Sequence, residues 1–285
     1  MHRLAEHIKE HYDTHAANTS SKEERARGLA APLKRYHNTI KRHLLRVFAK
    51  DANRLLDVAC GRGGDLAKWD ACGVKHVLGL DISPREIEEA RRRYCEGSFR
   101  PQCDFQECST LTSHPWTFGA FDVVTCMFAL HYFCSSEDVV THIFNQISSS
   151  LNPGGVLIIT VPDGKKVVEA IHHPITSSFL KLTSLWTGTP RPFGCAYICD
   201  MKDTVTSGGS IEYLVDTATI LRIAHSVGLE PISRYNDPQL DAVFDPHDAT
   251  MPWKHFYPKF ESTIDPGIFK ASSLFCACVF RKTFQ

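Results

Sequence analysis

The residues with the clearest chemistry lie in the run LLDVACGRGGDLAKW, residues 55–69. Gly61, Gly63 and Gly64 let a backbone turn sharply and approach a ligand closely. Asp57 and Asp65 flank the turn, and Asp81 closes the next apolar run, HVLGLD. An acid at that point accepts hydrogen bonds from both ribose hydroxyls of an adenosine-type cofactor. Two cofactor chemistries compete for the loop. A dinucleotide needs the third glycine of GxGxxG, where this chain has Leu66, and its pyrophosphate is repelled by the flanking acids. A sulfonium cation and an amino-acid ammonium are attracted by the same acids. The pattern therefore favours a methionine-type cofactor, although either acid alone can be read as satisfying loop amides.

To hold such a loop, the chain must feed a strand into it and a helix out of it. Arg54–Ala59 reads as the strand, and a helix runs on through Trp69. Ser83-Pro84-Arg85-Glu86 reads as a helix start, with Ser83 as cap, Pro84 in the first turn and Glu86 completing a capping box. FDVVTCMFALHY (121–132) is a buried strand followed by a loop. Residues 137–151 are amphipathic and helical until Asn152-Pro153-Gly154-Gly155 breaks them. VLIITVP (156–162) is a third buried strand, Ile211–Gly228 a strand end and helix, and LFCACVF (274–280) a last strand. Strands alternating with helices imply a mostly parallel, doubly wound α/β sheet. Residues 22–50 read as a helical arm, with Leu33, Tyr36, Ile40, Leu44 and Val47 at helical spacing. A single domain over 1–285 is expected, with a cofactor-binding core over 53–163. Residues 164–210 and 236–272, the latter with five prolines, read as irregular insertions on the substrate side.

The runs GRGGDLAKW, FALHY, NPGGVLIITVP and IEYLVD, in that order, resemble the eukaryotic and viral mRNA cap guanine-N7 methyltransferases. The resemblance spans about Leu33 to the C-terminus, with gaps in both insertions. It implies a Rossmann-like class I methyltransferase fold with a mostly parallel seven-stranded sheet, helices on both faces, and S-adenosyl-L-methionine as cofactor. Residue by residue, it implies cofactor contacts from Lys41, Asp57, Gly61, Asp65 and Asp81, with Met127 near the methionine end. It implies cap contacts from Asn38, Phe128, His131, Tyr132 and Glu212, and places Arg62 and Arg93 toward the cap phosphates. Two positions depart from the family. No Asp falls in register after the third strand (DFQECSTLT, 104–112), so Glu107 or a backbone carbonyl is left to hold the adenine amine. Phe275, a further implied cap contact, stands where the family has a tyrosine, keeping the ring for stacking and losing the hydroxyl.

The chemistry is consistent with these residue types. Guanine N7 has a lone pair and no proton to lose, so an in-line methyl transfer needs positioning and electrostatics rather than a general base. Glu212 can accept from guanine N1–H and the exocyclic amine together, and His131 can reach the base edge at O6. Each also has a plainer reading: Glu212 as an exposed strand residue, His131 as a core histidine, Lys41 as a solvated cation, Phe128 and Tyr132 as core packing. Of Arg91, Arg92 and Arg93, helical spacing turns at most one toward a given ligand.

Composition bounds the rest. Net charge is zero, with 32 basic and 32 acidic residues, yet residues 1–50 carry eleven Lys/Arg against five Asp/Glu. That arm is either a solvated face or an approach for phosphates. No apolar stretch is long enough to span a bilayer. The eleven cysteines include no CxxC pair, which argues against a disulfide framework and against a zinc site. We expect an intracellular protein, in the nucleus or the cytoplasm, acting on GpppN-capped RNA built by separate capping enzymes. A methyltransferase for another RNA base or a small molecule, and a non-catalytic cap-binding scaffold, are the alternatives.

Overall fold

The computed structural model describes residues 28–260 and 265–284. The basic arm before residue 28 lies outside these, so only its helix α1 (Ala31–Phe48) is placed. The core alternates as expected: β1 (Arg54–Val58), α2 (Leu66–Ala71), β2 (His76–Asp81), α3 (Pro84–Glu96), β3 (Gln102–Glu107), β4 (Phe121–Met127), α4 (Glu137–Ser150) and β5 (Leu151–Pro162). These strands pair in parallel in the order β3-β2-β1-β4-β5, and β11 (Phe275–Lys282) adds antiparallel to β5. The far edge of β11 is shared. β10 (Lys254–His255) pairs with Ala277 and Cys276, while β9 (Leu229–Pro231) pairs with Phe280 to Lys282. Among the described residues, eight strands thus fill seven positions.

Local sequence explains the element ends. Ser83 accepts from the Glu86 amide and Pro84 opens α3, as the sequence implied. The capping box is only half made, however. The Glu86 carboxylate takes the Arg62 guanidinium instead, and the Ser83 amide donates to Asp81 Oδ1 at 2.9 Å. A charge-assisted pair outcompetes a single neutral amide. Asn152-Pro153-Gly154-Gly155 ends α4, but β5 already begins at Leu151, which pairs with Phe121 across a register shift. The NPGG run is therefore an irregularity within the strand as well as a helix stop.

The first insertion corrects the sequence reading. Residues 164–210 are not irregular. They form α5 (Gly164–His172), β6 (Leu180–Ser184) and β7 (Ala196–Met201), and β7 pairs with β8 (Ser210–Tyr213) to complete a small antiparallel sheet. In β7 buried and half-buried residues alternate, the pattern of a one-sided strand. The polar face and the Gly/Pro-rich stretch before it masked that period. After α6 (Thr217–Ser226), the second insertion holds α7 (Pro238–Asp241), β10 and α8 (Pro266–Ser273) among longer loops. It is pinned by Lys254, 1% exposed, whose ammonium donates to the carbonyls of Ser233, Asp248, Ala249 and Met251 at 2.7–3.1 Å.

Candidate active site

The carboxyl ends of β1, β2 and β4, with α1 and the small sheet, enclose two adjoining pockets. This is the crevice where parallel α/β sheets bind ligands. β1 delivers Asp57 and then the glycine turn, in which Gly61 and Gly63 have φ of +52° and +67°. A side chain is strained in that region, so the glycines are required by the backbone. Asp81 Oδ2 accepts from the Gly61 amide at 2.8 Å and fixes the turn against β2. Burial raises the Asp81 carboxyl to about 6.

The first pocket, about 170 Å³, is lined by Ala59, Gly61, Asp81, Ile82, Cys108, Ser109, Leu111, Thr112, Phe128, Ala129, Tyr132 and Phe133. One carboxylate at an otherwise mostly apolar slot suits a nucleoside, with the sugar at the acid and the base among the aliphatic walls. Glu107 is exposed and is not among the lining residues; the segment just after it, Cys108–Thr112, forms that wall. Met127 is buried in the core at the end of β4 and lines neither pocket.

Beside the turn, Asp65 is held between two ammonium groups, Lys41 Nζ at 2.6 Å and Lys68 Nζ at 2.8 Å. Its burial opposes ionisation, but the two lysines prevail and hold the carboxyl low. Asp57 is pushed upward by burial and by the Asp65 charge, and accepts from the Thr125 hydroxyl at 2.5 Å. The two acids flanking the turn therefore differ: one is a paired carboxylate, the other is biased toward its protonated form.

The second pocket, about 240 Å³, lies between α1 and the small sheet. Its wall brings together most of the residues singled out for the acceptor: Asn38, Phe128, His131, Tyr132, Glu212 and Phe275, with Lys41 beside them. Glu212 is 3% exposed rather than a surface strand residue, because β8, an edge strand of the small sheet, packs against the turn Leu130–Tyr132. Burial raises its carboxyl to about 7. His131 Nε2 lies 3.7 Å from Glu212 Oε1, and burial lowers the imidazole to about 3, so it is neutral. Its Nδ1 is buried without a hydrogen-bond partner among the described residues. A buried ring nitrogen with no partner costs on the order of 1–3 kcal/mol and is suited to a ligand.

Three predicted contacts sit differently. Arg62 is bound to Glu86, with Nε at 3.0 Å, and Arg93 to Glu89 at 2.7 Å and to the Arg62 carbonyl at 3.2 Å; neither lines a pocket. The basic run is paired throughout: Arg92 binds Glu89, and Arg91 donates to the Phe105 carbonyl. Asn38 lines the second pocket but spends its amide on the Lys34 carbonyl at 2.9 Å.

Sequence reasoning missed two residues. Tyr197 donates to Glu212 Oε2 at 2.6 Å from the neighbouring strand. The alternation of β7 could have found it, had the strand been recognised. His37 lies on the second pocket, its ring stacked on Phe128 at 4.9 Å and 14°. It sits in the RYHNTIK run one residue before Asn38.

No described helix is long and apolar enough to cross a membrane, and among the described residues no group of His, Cys, Asp and Glu is arranged to hold a metal ion.

The family model of the mRNA (guanine-N(7))-methyltransferase domain matches residues 2–283. An mRNA cap guanine-N(7) methyltransferase of Oryza sativa is 30% identical over 223 residues, 70% of this chain and 60% of the relative. That of Schizosaccharomyces pombe is 31% identical over 218 residues, again 70% and 60%. The chain thus spans about 60% of the length of these curated relatives. Among solved structures, S-adenosylmethionine-dependent methyltransferases from Clostridium acetobutylicum and Mesorhizobium loti share the fold. Their TM-scores are 0.53 and 0.55, at 13% and 17% identity, covering 88% and 86% of this chain and 92% and 96% of theirs. With the class I methyltransferase fold so shown and the family model matched along nearly all its length, the chain belongs to the mRNA (guanine-N7)-methyltransferase domain family.

Proposed function

We propose that this domain transfers a methyl group from S-adenosyl-L-methionine to N7 of the guanine cap of GpppN-ended RNA. The observation that carries the reading is the junction of the two pockets. Phe128 and Tyr132 line both, so a nucleoside held at Asp81 and a base held at Glu212 meet across these two side chains.

The residues fit the cofactor. The positive-φ glycine turn admits a close ligand, Asp81 faces the nucleoside pocket, and the Lys41–Asp65–Lys68 cluster offers both signs of charge to an amino-acid end. When bound, S-adenosylmethionine supplies an electrophilic methyl group on a sulfonium centre. The protein then has to orient the acceptor and exclude water. Ionised Glu212 accepts from guanine N1–H and the exocyclic amine, a donor pair that adenine lacks. It also offsets the positive charge that N7 alkylation spreads over the ring. Neutral His131 holds the base edge through the nitrogen that has no protein partner. No proton need leave N7, so no general base is required. The rings of His37, Phe128 and Phe275 close the apolar side of the pocket, with Phe256 packed behind them.

On this reading the RNA end must first receive its guanylate from a guanylyl-transferring enzyme, and separate capping enzymes and a nuclear setting are proposed with it. A well-formed nucleoside pocket gives the scaffold alternative no support. The test replaces the cap guanine by hypoxanthine, which lacks the exocyclic amine. Wild type should lose roughly tenfold or more in kcat/KM on the hypoxanthine cap, whereas Glu212→Ala should treat both caps alike. Equal use of both caps by the wild type would remove Glu212 as the guanine reader.

A further inference from the structure

Phe128 is under an unusual constraint. Its φ is +62°, in the left-handed region that an aromatic residue enters at a cost of about 1–3 kcal/mol. Its amide is held by both the carbonyl and the hydroxyl of Thr160, each at 2.9 Å. The backbone is thus fixed to β5, but the ring needs its own support, because it forms part of the wall between the pockets. Phe256 and Phe275 meet it at 75° and 59°, edge-on or tilted. His37 meets it face-on, at 14°.

The His37 ring is in turn fixed from the other side. Its Nε2 is hydrogen-bonded to the Ser272 hydroxyl at 3.0 Å, and Ser272 is fully buried in α8. Phe256 and Phe275 pack edge-on against it at 5.3 and 5.1 Å. Lys41, one turn on along α1, approaches the Phe128 ring at 5.4 Å. Burial and Lys41 hold the imidazole near 3, so it stacks as a neutral ring at physiological pH.

We infer that His37 is a positioning residue for the transfer: through its stack on Phe128 and its bond to Ser272 it sets the ring that separates donor from acceptor. This rests on the methyl-transfer reading above. The inference distinguishes ring from hydrogen bond. The ring orients Phe128, and the Ser272 bond fixes the ring. It also distinguishes positioning from binding, since misplacing the junction by about 1 Å slows transfer on the order of 10²-fold without necessarily weakening either ligand.

The experiment compares His37→Gln, which keeps a hydrogen-bonding end and loses the ring, with His37→Phe, which keeps a ring and loses the bond to Ser272. Steady-state methylation of a GpppN-capped RNA gives kcat and KM, calorimetry gives cofactor Kd, and thermal melting monitors the fold. We expect His37→Gln to lower kcat roughly 10–100-fold, with KM and cofactor Kd within about threefold of wild type. His37→Phe should recover most of kcat. Ser272→Ala should fall between them. A rise in KM at unchanged kcat would instead make His37 a direct substrate contact. A His37→Phe variant as slow as His37→Gln would remove the stack as the cause, and losses that merely track the melting temperature would make the residue structural; each overturns the inference. A wild type that methylates a different acceptor would overturn the proposed function alone, because the same variants assayed on that acceptor still decide the role of His37.

Discussion

Tyr197 and Glu212 face each other across the antiparallel β7–β8 pair, and the Tyr197 hydroxyl donates to Glu212 Oε2 at 2.6 Å. One carboxylate oxygen is thus anchored to the small sheet, and Oε1 lies toward His131. The sheet that the sequence hid inside an insertion is what aims the Glu212 carboxylate, the proposed guanine reader.

Removing that carboxylate should remove transfer and spare the cofactor. For Glu212→Ala we expect kcat/KM on capped RNA to fall on the order of 10³-fold. S-adenosylmethionine affinity, measured by calorimetry, should change less than about threefold. Parallel loss of both would assign Glu212 a structural role instead.

The raised Glu212 carboxyl gives a pH signature. On the proposed function the ionised form reads the base, so kcat/KM should climb with pH and reach half its plateau near pH 7. Glu212→Gln should abolish that step. Stability runs the other way. A carboxyl raised in the folded state favours folding below its unfolded value, near 4, and this contribution is lost as pH rises through about 7. Glu212→Gln should therefore melt higher than wild type at pH 8, by roughly 3–5 °C, with the gap closing at pH 5. A wild-type profile flat between pH 6 and 8 would contradict this assignment.

Asp81 has a double duty, fastening the Gly61 amide and facing the nucleoside pocket. Asp81→Asn keeps one acceptor oxygen and removes the charge. We predict a loss of roughly 10–100-fold in cofactor affinity, with the KM for capped RNA nearly unchanged. Titration of the purified variant with the cofactor checks this directly; wild-type affinity would mean that the ribose does not sit at Asp81.

Much of this architecture was legible because its signals are local. The glycine turn, the acid ending β2 and the Ser83 cap follow from residue types a few positions apart, and each stands where the sequence placed it. What the sequence concealed depends on partners distant in the chain. Arg62 looked available for phosphates until Glu86, 24 residues on, claimed it. Lys41 reads from the sequence as a single cofactor contact or a solvated cation, whereas the fold ties it to Asp65 in a cluster with Lys68. Tyr197 and His37 carry no motif of their own, and their importance comes only from facing Glu212 and Phe128 in space.

The second insertion owes its order to Lys254 and its four carbonyl acceptors. Lys254→Met fills similar volume but leaves those carbonyls unpaired. It should cost about 3 kcal/mol, lowering the melting temperature by roughly 6–10 °C. Residual activity at low temperature should persist, since the side chain lines neither pocket. An unchanged melting curve would show that the cage contributes nothing to the fold.

The most direct test of the central claim follows the methyl group itself. The purified domain is incubated with methyl-labelled S-adenosylmethionine and a short GpppN-capped RNA, and the product is digested with nuclease to locate the label. The account predicts label on N7 of the cap guanine, and none on an ApppN-ended control. Label on another base, or cofactor binding without transfer to the cap, would contradict it.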